Sequence, residues 1–274
     1  MNKHVISQVL KYIALSFWAL TTIYPLCWVI LNSFKSSQQI IEDSFRLPTT
    51  LLLDNYTLAF ERNILLGYAN SLIISLSVVF AVLLIGSMAG YIMARFTFIG
   101  KNVIQTLILS SLMIPVFATI VPVFELLLKV NLFNNRIGLI LPQIAGNLAF
   151  TISVLSSYMT TLPIEMEEAA FMEGCTPFQV FSKVILPITK PSLAASAVFV
   201  FLWSYNDLFS SLIILRTRDK MPINVMLTDI SSQYGTDYGL MAAVIAIIVI
   251  PVLLFYIFAQ RFIIEGMTSG AVKG

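Results

Sequence analysis

Long apolar runs decide what kind of fold this chain can adopt. A helix that rises about 1.5 Å per residue needs about 20 apolar residues to cross a hydrocarbon core about 30 Å thick. Six segments of the 274-residue sequence reach that length, at about 12–34, 69–94, 103–125, 137–158, 192–215 and 239–262. Lipid offers no partner for the backbone groups of an open strand, so the segments are predicted to be helices. The sequence therefore predicts an all-α, polytopic membrane protein with six transmembrane helices in one domain, residues 1–274.

Composition agrees with that class and argues against several others. Hydrophobic residues make up 58% of the chain, which is above the apolar share of about 45–50% in soluble domains. Charged residues make up 11%, and the mean hydropathy is +0.90. A net charge of +2 without a basic run gives no indication of nucleic-acid binding. Cys27 and Cys175 do not predict a disulfide framework, and one histidine, His4, cannot build a His/Cys metal cluster. We therefore expect no metal site, and an intramembrane protease would lack its catalytic residues.

The orientation of the spans does not follow from charge. If the N-terminus is inside, the inner segments carry eight Lys and Arg residues and the outer loops also carry eight. An excess of these residues marks the cytoplasmic side. Because the counts tie, the orientation stays open at this level.

Prolines within the predicted spans indicate kinked helices, since each removes a backbone hydrogen bond. They are Pro25, Pro115, Pro122, Pro142 and Pro251. Kinked helices are typical of a pathway that opens and closes. The alternative is ordinary composition, because proline is commoner in membrane helices than in soluble ones.

One polar segment interrupts the apolar pattern: residues 159–191, which contain EEAAFMEGCTPFQVFSKVILP. Its carboxylates would be expensive to bury in lipid, so the segment is predicted to form two short helices outside the bilayer. The first is predicted to end at Gly174, the residue type best suited to a left-handed C-terminal cap. Thr176 is predicted to cap the second, with Pro177 in its first turn and Gln179 completing a capping box.

An apolar stripe is predicted on the second helix of this segment. Phe178, Phe181 and Ile185 stand at positions i, i+3 and i+7, which share one face of a helix. The helix is predicted to end before Pro187, because the residue before a proline avoids the α conformation. Periodicity leaves two alternatives open, a hairpin that serves a partner protein and a hairpin with no partner.

Asp207 is the acidic residue that lies well inside a predicted span, and Asn206 stands beside it. An intramembrane carboxylate is costly, so it is a functional candidate that faces the bundle interior or water. The alternative is that Asp207 lies in the outer third of its span and reaches the headgroups.

The polar segment resembles a known motif. Glu168, Ala169 and Ala170, then Gly174, then Val184, Leu186 and Pro187 have the spacing of the EAA loop in importer permeases of the ATP-binding-cassette type. Further matches resemble the carbohydrate-uptake permeases of the maltose-transporter type. These are Asn55 and Tyr56, Asn70 and Ser71, GYIMARFTFIGK (90–101), Ile114 and Pro115, IVP (120–122), WSYND (203–207) and QRFIIEGMTSGAVKG (260–274).

The resemblance implies that the loop at 159–191 faces the cytoplasm and docks on a separate ATPase subunit. The residues expected to couple the two proteins are Glu168, Ala169, Ala170, Gly174, Phe178 and Pro187. Phe178 and Phe181 would serve as apolar anchors or pack the hairpin onto its own bundle, and packing is slightly favoured. The sequence contains no Walker A element, so ATP and Mg are expected on the partner and neither a catalytic residue nor a cofactor on this chain.

The same resemblance implies an assembly in the cytoplasmic membrane of a bacterium or archaeon, with both termini in the cytoplasm. Its expected partners are a second permease in a heterodimer, two ATPase subunits, an extracytoplasmic sugar-binding protein and the lipid bilayer. Candidate pathway or gate residues are Asn147, Tyr205, Asn206 and Asp207, with Ser153 as a further polar group. For Asn147 and Ser153, hydrogen bonding between helices is the alternative. A permease for polyamine or phosphate and an ion-driven secondary transporter are the alternative functions.

Overall fold

The computed structural model describes residues 3–233 and 237–271, and every regular element in those two ranges is helical. The first half contains α1 (Lys3–Asn32), α2 (Ser37–Glu42), α3 (Asp54–Glu61), α4 (Ile64–Arg95), α5 (Lys101–Ser111), α6 (Val116–Lys129) and α7 (Arg136–Thr160). The second half contains α8 (Glu165–Met172), α9 (Pro177–Val180), a π-helical turn (Phe181–Ile185), α10 (Leu186–Ile188), α11 (Lys190–Tyr205), α12 (Leu208–Ile214), α13 (Ile223–Gln233) and α14 (Tyr238–Ala271). The predicted all-α class is confirmed.

Three helices are long and apolar enough to cross a membrane, namely Ser7–Asn32, Ile64–Arg95 and Arg136–Thr160. They coincide with the predicted spans at 12–34, 69–94 and 137–158. Two bent helix pairs raise the number to five if each pair is one span: α5 with α6, bent by 101°, and the helix Pro177–Ile188 with α11, bent by 76°. The predicted span at 239–262 lies within the 34-residue helix α14, in which Tyr238–Ile250 is an apolar stretch. The six-span count therefore stays a prediction.

Two predicted spans are broken rather than continuous. The span at 103–125 breaks between α5 and α6, where Pro115 has extended backbone (φ −69°, ψ 133°) and precedes the first residue of α6. The span at 192–215 breaks between α11 and α12, where Asp207 accepts a hydrogen bond from the Ser210 N–H at 3.1 Å and so begins a new helix. Apolar content alone cannot reveal either break, because both depend on local hydrogen bonding.

The other prolines have less effect on the helices. Pro25, Pro122 and Pro142 lie inside α1, α6 and α7. The side chain of Pro251 lies outside the described part of the chain, as do residues 272–274 of the C-terminal motif.

The chain divides into two compact units, Met1–Leu66 with Met226–Leu253, and Gly67–Val225 with Leu254–Gly274. In the first unit, Asn55 and Tyr56 fix the end of α1. The Asn55 amide donates to the carbonyls of Ser33 and Lys35 at 2.8 and 2.9 Å, and the Tyr56 hydroxyl lies 2.7 Å from the Ser33 hydroxyl. Gly239 packs against the Lys35 carbonyl so closely that an added Cβ would lie 2.6 Å from its oxygen.

In the second unit, α4 packs closely on α7 through two glycines one turn apart. A Cβ added at Gly86 would lie 2.8 Å from Thr151 Cγ2, and one added at Gly90 would lie 3.2 Å from Leu155 Cβ and from the backbone nitrogen of Ser156. Small residues at this spacing allow membrane helices to approach closely. The other end of α4 is fixed by Asn70, whose amide donates to the carbonyls of Asp219 and Met221 at 2.9 and 3.0 Å.

We expect Gly90→Leu to lower the free energy of unfolding by about 1–3 kcal/mol, because the added side chain must push α7 away. Gly146→Leu is the matched control, since a Cβ at Gly146 meets no atom within 4 Å. Thermal unfolding of the two purified variants in detergent measures the difference. Equal stability of both variants would show that α4 and α7 do not pack closely at Gly90.

Candidate functional site

The polar segment folds as a helical hairpin, which we define as residues 165–188. Its turn is a Schellman motif: the Cys175 N–H donates to the Ala170 carbonyl at 3.1 Å, and the Gly174 N–H donates to the Phe171 carbonyl at 2.9 Å. Gly174 has φ +83°, the left-handed region that disfavours side chains with a Cβ. The predicted end of the first helix at Gly174 is therefore confirmed.

The second helix of the hairpin begins with the predicted capping box. The Gln179 N–H donates to the Thr176 hydroxyl at 3.3 Å, and the Thr176 N–H donates to the Gln179 side-chain oxygen at 2.8 Å. Pro177 stands in the first turn, where its missing N–H costs nothing. These local expectations are confirmed.

The predicted end of this helix before Pro187 is wrong. The chain stays helical through Pro187 to Ile188, and the bend toward α11 comes at Thr189. A π turn at Phe181–Ile185 directly precedes the proline, and the Leu186 N–H donates to the carbonyl of Phe181 five residues back. The wider turn places the proline ring in a helix without ending it.

The hairpin packs on the ends of α4 and α7 through an apolar cluster. Its buried members are Tyr91, Leu155, Met159, Ala170, Val180, Phe181 and Ile185. The ring of Phe181 lies 5.3 Å from that of Tyr91, and only 7% of Phe181 is exposed. Phe178, one turn earlier, is 66% exposed. The two phenylalanines that periodicity placed on one stripe therefore differ in burial, although their ring centroids lie only 6.4 Å apart.

A buried carboxylate that the sequence analysis did not single out lies at the centre of this contact. Glu167 is 3% exposed, and one of its oxygens is paired with the Nε of Arg95. The Tyr91 hydroxyl donates to the other oxygen at 2.8 Å, and the Arg95 Nη2 donates to the Leu162 carbonyl at 2.9 Å. The sequence does contain two indications of this contact: Glu167 shares a helix face with Ala170 at i+3, and Arg95 stands at the end of an apolar helix.

The residues expected to couple this chain to a partner do not all lie on the outer face of the hairpin. Glu168, Ala169, Gly174, Phe178 and Pro187 are exposed. Ala170 is 8% exposed and belongs to the apolar cluster, so its small size allows the hairpin to approach its own bundle. The hairpin thus has an anchored inner face and a free outer face with a carboxylate and a large aromatic ring.

A second group of polar side chains joins α7 to the break between α11 and α12. Gln143 donates to the Asp207 carboxylate at 2.8 Å and accepts from the Ser204 hydroxyl at 2.6 Å. Gln143 and Ser204 are buried, and Asp207 is partly buried. Sequence reasoning missed Gln143 and Ser204, because a single amide or hydroxyl in a span carries no periodic signal.

The candidate pathway residues differ in burial and in their partners. Asn147 is buried and donates to the carbonyl of Gln143 at 2.7 Å, and Ser153 similarly bonds the carbonyl four residues before it. Asn206 is exposed. Tyr205 stacks on Phe201 with ring centroids 5.5 Å apart, and its buried hydroxyl has no hydrogen-bond partner among the described residues.

The sequence that contains the hairpin matches a known protein family. Residues 83–269, which include the hairpin and its anchor on α4, match the family model described as "binding-protein-dependent transport system inner membrane component". The chain belongs to this family. The apolar helices of the permease agree with an inner-membrane component.

The sequence similarity to known proteins covers almost the whole length of the permease. It is 36% identical over 267 residues to the diacetylchitobiose uptake system permease protein NgcG of Streptomyces coelicolor, covering 96% of this chain and 88% of that protein. It is 35% identical to the arabinooligosaccharides transport system permease protein AraQ of Halalkalibacterium halodurans, covering 96% and 95%. A chain of a bacterial ABC transporter for alginate import has the same fold, with a TM-score of 0.84, 22% identity and coverage of 95% and 98%.

We expect Gly174→Val to speed hydrogen exchange in residues 165–188 by about 5- to 30-fold, because a β-branched residue in left-handed backbone costs about 1–2 kcal/mol. Gly174→Asn is the control and should change exchange much less, since Asn63, Asn131 and Asn134 already adopt positive φ in this chain. Mass spectrometry of peptides from this segment measures the rates. Equal rates in the two variants would contradict the role of the turn.

We expect Asp207→Ala to lower the free energy of unfolding by about 1–3 kcal/mol, because the cap of α12 and the partner of Gln143 are both lost. Asp207→Asn keeps one oxygen that can accept from the Ser210 N–H, but an NH2 group replaces the oxygen that accepts from Gln143, so its stability should lie between that of Asp207→Ala and that of the unmodified permease. Titration with SDS in mixed micelles measures both variants. If Asn destabilises as much as Ala, the cap of α12 contributes nothing and the bond to Gln143 accounts for the whole loss.

Proposed function

We propose that this permease forms half of the transmembrane pathway of an ATP-binding-cassette importer for a sugar or related carbohydrate. The observation that most directly supports this proposal is the hairpin at 165–188, which is anchored on one face and exposes Glu168 and Phe178 on the other. Two relatives named for oligosaccharide uptake or transport support the substrate class. The membrane is the cytoplasmic membrane of a bacterium or archaeon.

Two ATPase subunits, which hold ATP and Mg, would supply the energy. One of them binds the exposed face of the hairpin, where Glu168 offers charge-assisted hydrogen bonds and Phe178 offers an aromatic anchor. When the ATPase subunits close on ATP, a rigid hairpin must follow, and the attached helices rock between inward-open and outward-open states. Ala169 allows close approach, Gly174 forms the turn, and Pro187 lies on the exposed side of the second helix.

The rest of the proposed assembly is what the resemblance to carbohydrate importers implies. A second, different permease completes the pathway, and an extracytoplasmic sugar-binding protein delivers the substrate. The hairpin and both termini lie in the cytoplasm. Asp207 and Asn206, at the break between α11 and α12, are the pathway residues we favour, because an interrupted helix exposes polar groups at membrane depth only where they face protein or water.

Uptake by proteoliposomes that contain the whole complex tests the proposal. Carbohydrate uptake should require ATP inside the vesicles and the binding protein outside, and it should survive an ionophore that collapses ion gradients. Uptake that persists without ATP and stops with the ionophore would identify an ion-driven transporter. Transport of polyamine or phosphate instead of an oligosaccharide would refute the substrate class.

We expect Phe178→Ala and Glu168→Ala each to reduce carbohydrate uptake about tenfold or more, because a desolvated aromatic anchor or charged pair contributes about 2 kcal/mol at such an interface. The loss should come with weaker co-purification of the ATPase subunits and unchanged insertion into the membrane. Quantitative pull-down of the tagged permease measures the association.

Phe45→Ala is the matched control, since Phe45 is 75% exposed but stands in the loop after α2, outside the hairpin. That variant should keep the ATPase subunits bound. If Phe178→Ala and Glu168→Ala retain them as well, the outer face of the hairpin is not the docking site.

A further inference from the structure

We propose that the buried pair of Glu167 and Arg95 is a joint that makes α4 move with the hairpin, so that force enters the bundle through α4 as well as through α7 and α11. This inference rests on the proposed function, in which an ATPase subunit displaces the hairpin. Chain connectivity alone links the hairpin only to α7 and α11. Glu167 and Arg95 stand 72 residues apart, and their contact adds a third helix.

The covalent links to the hairpin are bends. The second helix meets α11 at an angle of 76°, and the segment between α7 and α8 is a turn whose Leu162 N–H bonds back to the Met159 carbonyl at 3.2 Å. Bends of this kind transmit a displacement poorly unless another contact fixes their angle. Arg95 supplies such a contact for the bend between α7 and α8, because it bonds both Glu167 in α8 and the Leu162 carbonyl in the turn.

The ion pair of Arg95 and Glu167 should stay intact even where water surrounds the hairpin. The side chains of Arg95 and Glu167 are 9% and 4% exposed, so salt screens their attraction much less than it would at the surface. Both carboxylate oxygens have donors, the second from Tyr91. The ring of Tyr91 is held in turn between Phe181 at 5.3 Å and Phe96 at 5.7 Å. Separating the pair would leave a charge buried without its partner, which opposes opening of the contact.

From this joint, α4 runs to the far end of the same unit. The helix has 32 residues, a length of about 48 Å. Near its start, Asn70 donates to the carbonyls of Asp219 and Met221, and the Ser71 hydroxyl accepts from the Ile223 N–H at 3.0 Å. Movement of the hairpin would therefore reach residues 219–223, in the loop that the topology predicts on the outer side of the membrane.

Carbohydrate uptake per ATP hydrolysed, measured on the complete complex in proteoliposomes, tests the joint. We expect Glu167→Gln and Arg95→Glu to lower this ratio about fivefold or more while the ATPase subunits still co-purify. The double variant Arg95→Glu with Glu167→Arg restores the ion pair but not the bond to the Leu162 carbonyl, so it should recover part of the ratio, which loss of folding alone would not predict. Glu165→Gln, an exposed carboxylate on the same helix, is the matched control and should resemble the unmodified complex.

An unchanged ratio in both single variants would overturn the joint. Loss of the ATPase subunits from the unmodified permease would instead refute the proposed function, and the inference with it. Spin labels at Ile92→Cys in α4 and at Glu173→Cys in the hairpin, with Cys27 and Cys175 replaced by Ser, give a second measurement that needs no variant of the pair. Both positions are exposed. Their separation should be the same in the nucleotide-free and ATP-trapped complex, and a shift between the two states would show that α4 and the hairpin do not move together.

Discussion

One buried carboxylate ties the polar hairpin to the helical bundle, and the arrangement of the whole site depends on it. Glu167 could not lie in an apolar cluster without compensation, and Arg95 and Tyr91 supply it from a helix far away in sequence. Because the pair fixes which side of α8 faces inward, Glu168 must face outward. The free outer face is therefore a consequence of the buried contact on the inner face.

Two of the residue pairs on which the resemblance rests also have identifiable structural tasks. Asn55 and Tyr56 hold the end of α1, whereas Asn70 and Ser71 hold the loop that leads into α13. In each case a side-chain amide satisfies backbone carbonyls that no helix uses. Buried backbone groups need such partners, and the need is greater where lipid rather than water surrounds the protein. These two pairs thus stabilise connections, while the hairpin presents an exposed outer face.

Apolar runs predicted the helical class well and the continuity of the helices less well. The spans at 69–94 and 137–158 are single helices, but those at 103–125 and 192–215 are broken. Pro115 begins a new helix in one, and the carboxylate of Asp207 caps a new helix in the other. Hydropathy measures the cost of transferring side chains to lipid and does not detect which backbone N–H has lost its partner.

The sequence by itself determined the helical class, through apolar runs of about 20 residues, and two features that depend on near neighbours, the glycine turn at Gly174 and the capping box at Thr176. These are decided by backbone sterics and local hydrogen bonds, which composition and spacing encode directly. Only the tertiary structure decided that Glu167 is buried while Glu168 is exposed, that Phe181 packs while Phe178 does not, and that Gln143 meets Asp207. These outcomes depend on which distant helix lies against each side chain, and one sequence contains no periodic signal for a contact across 60 or more residues.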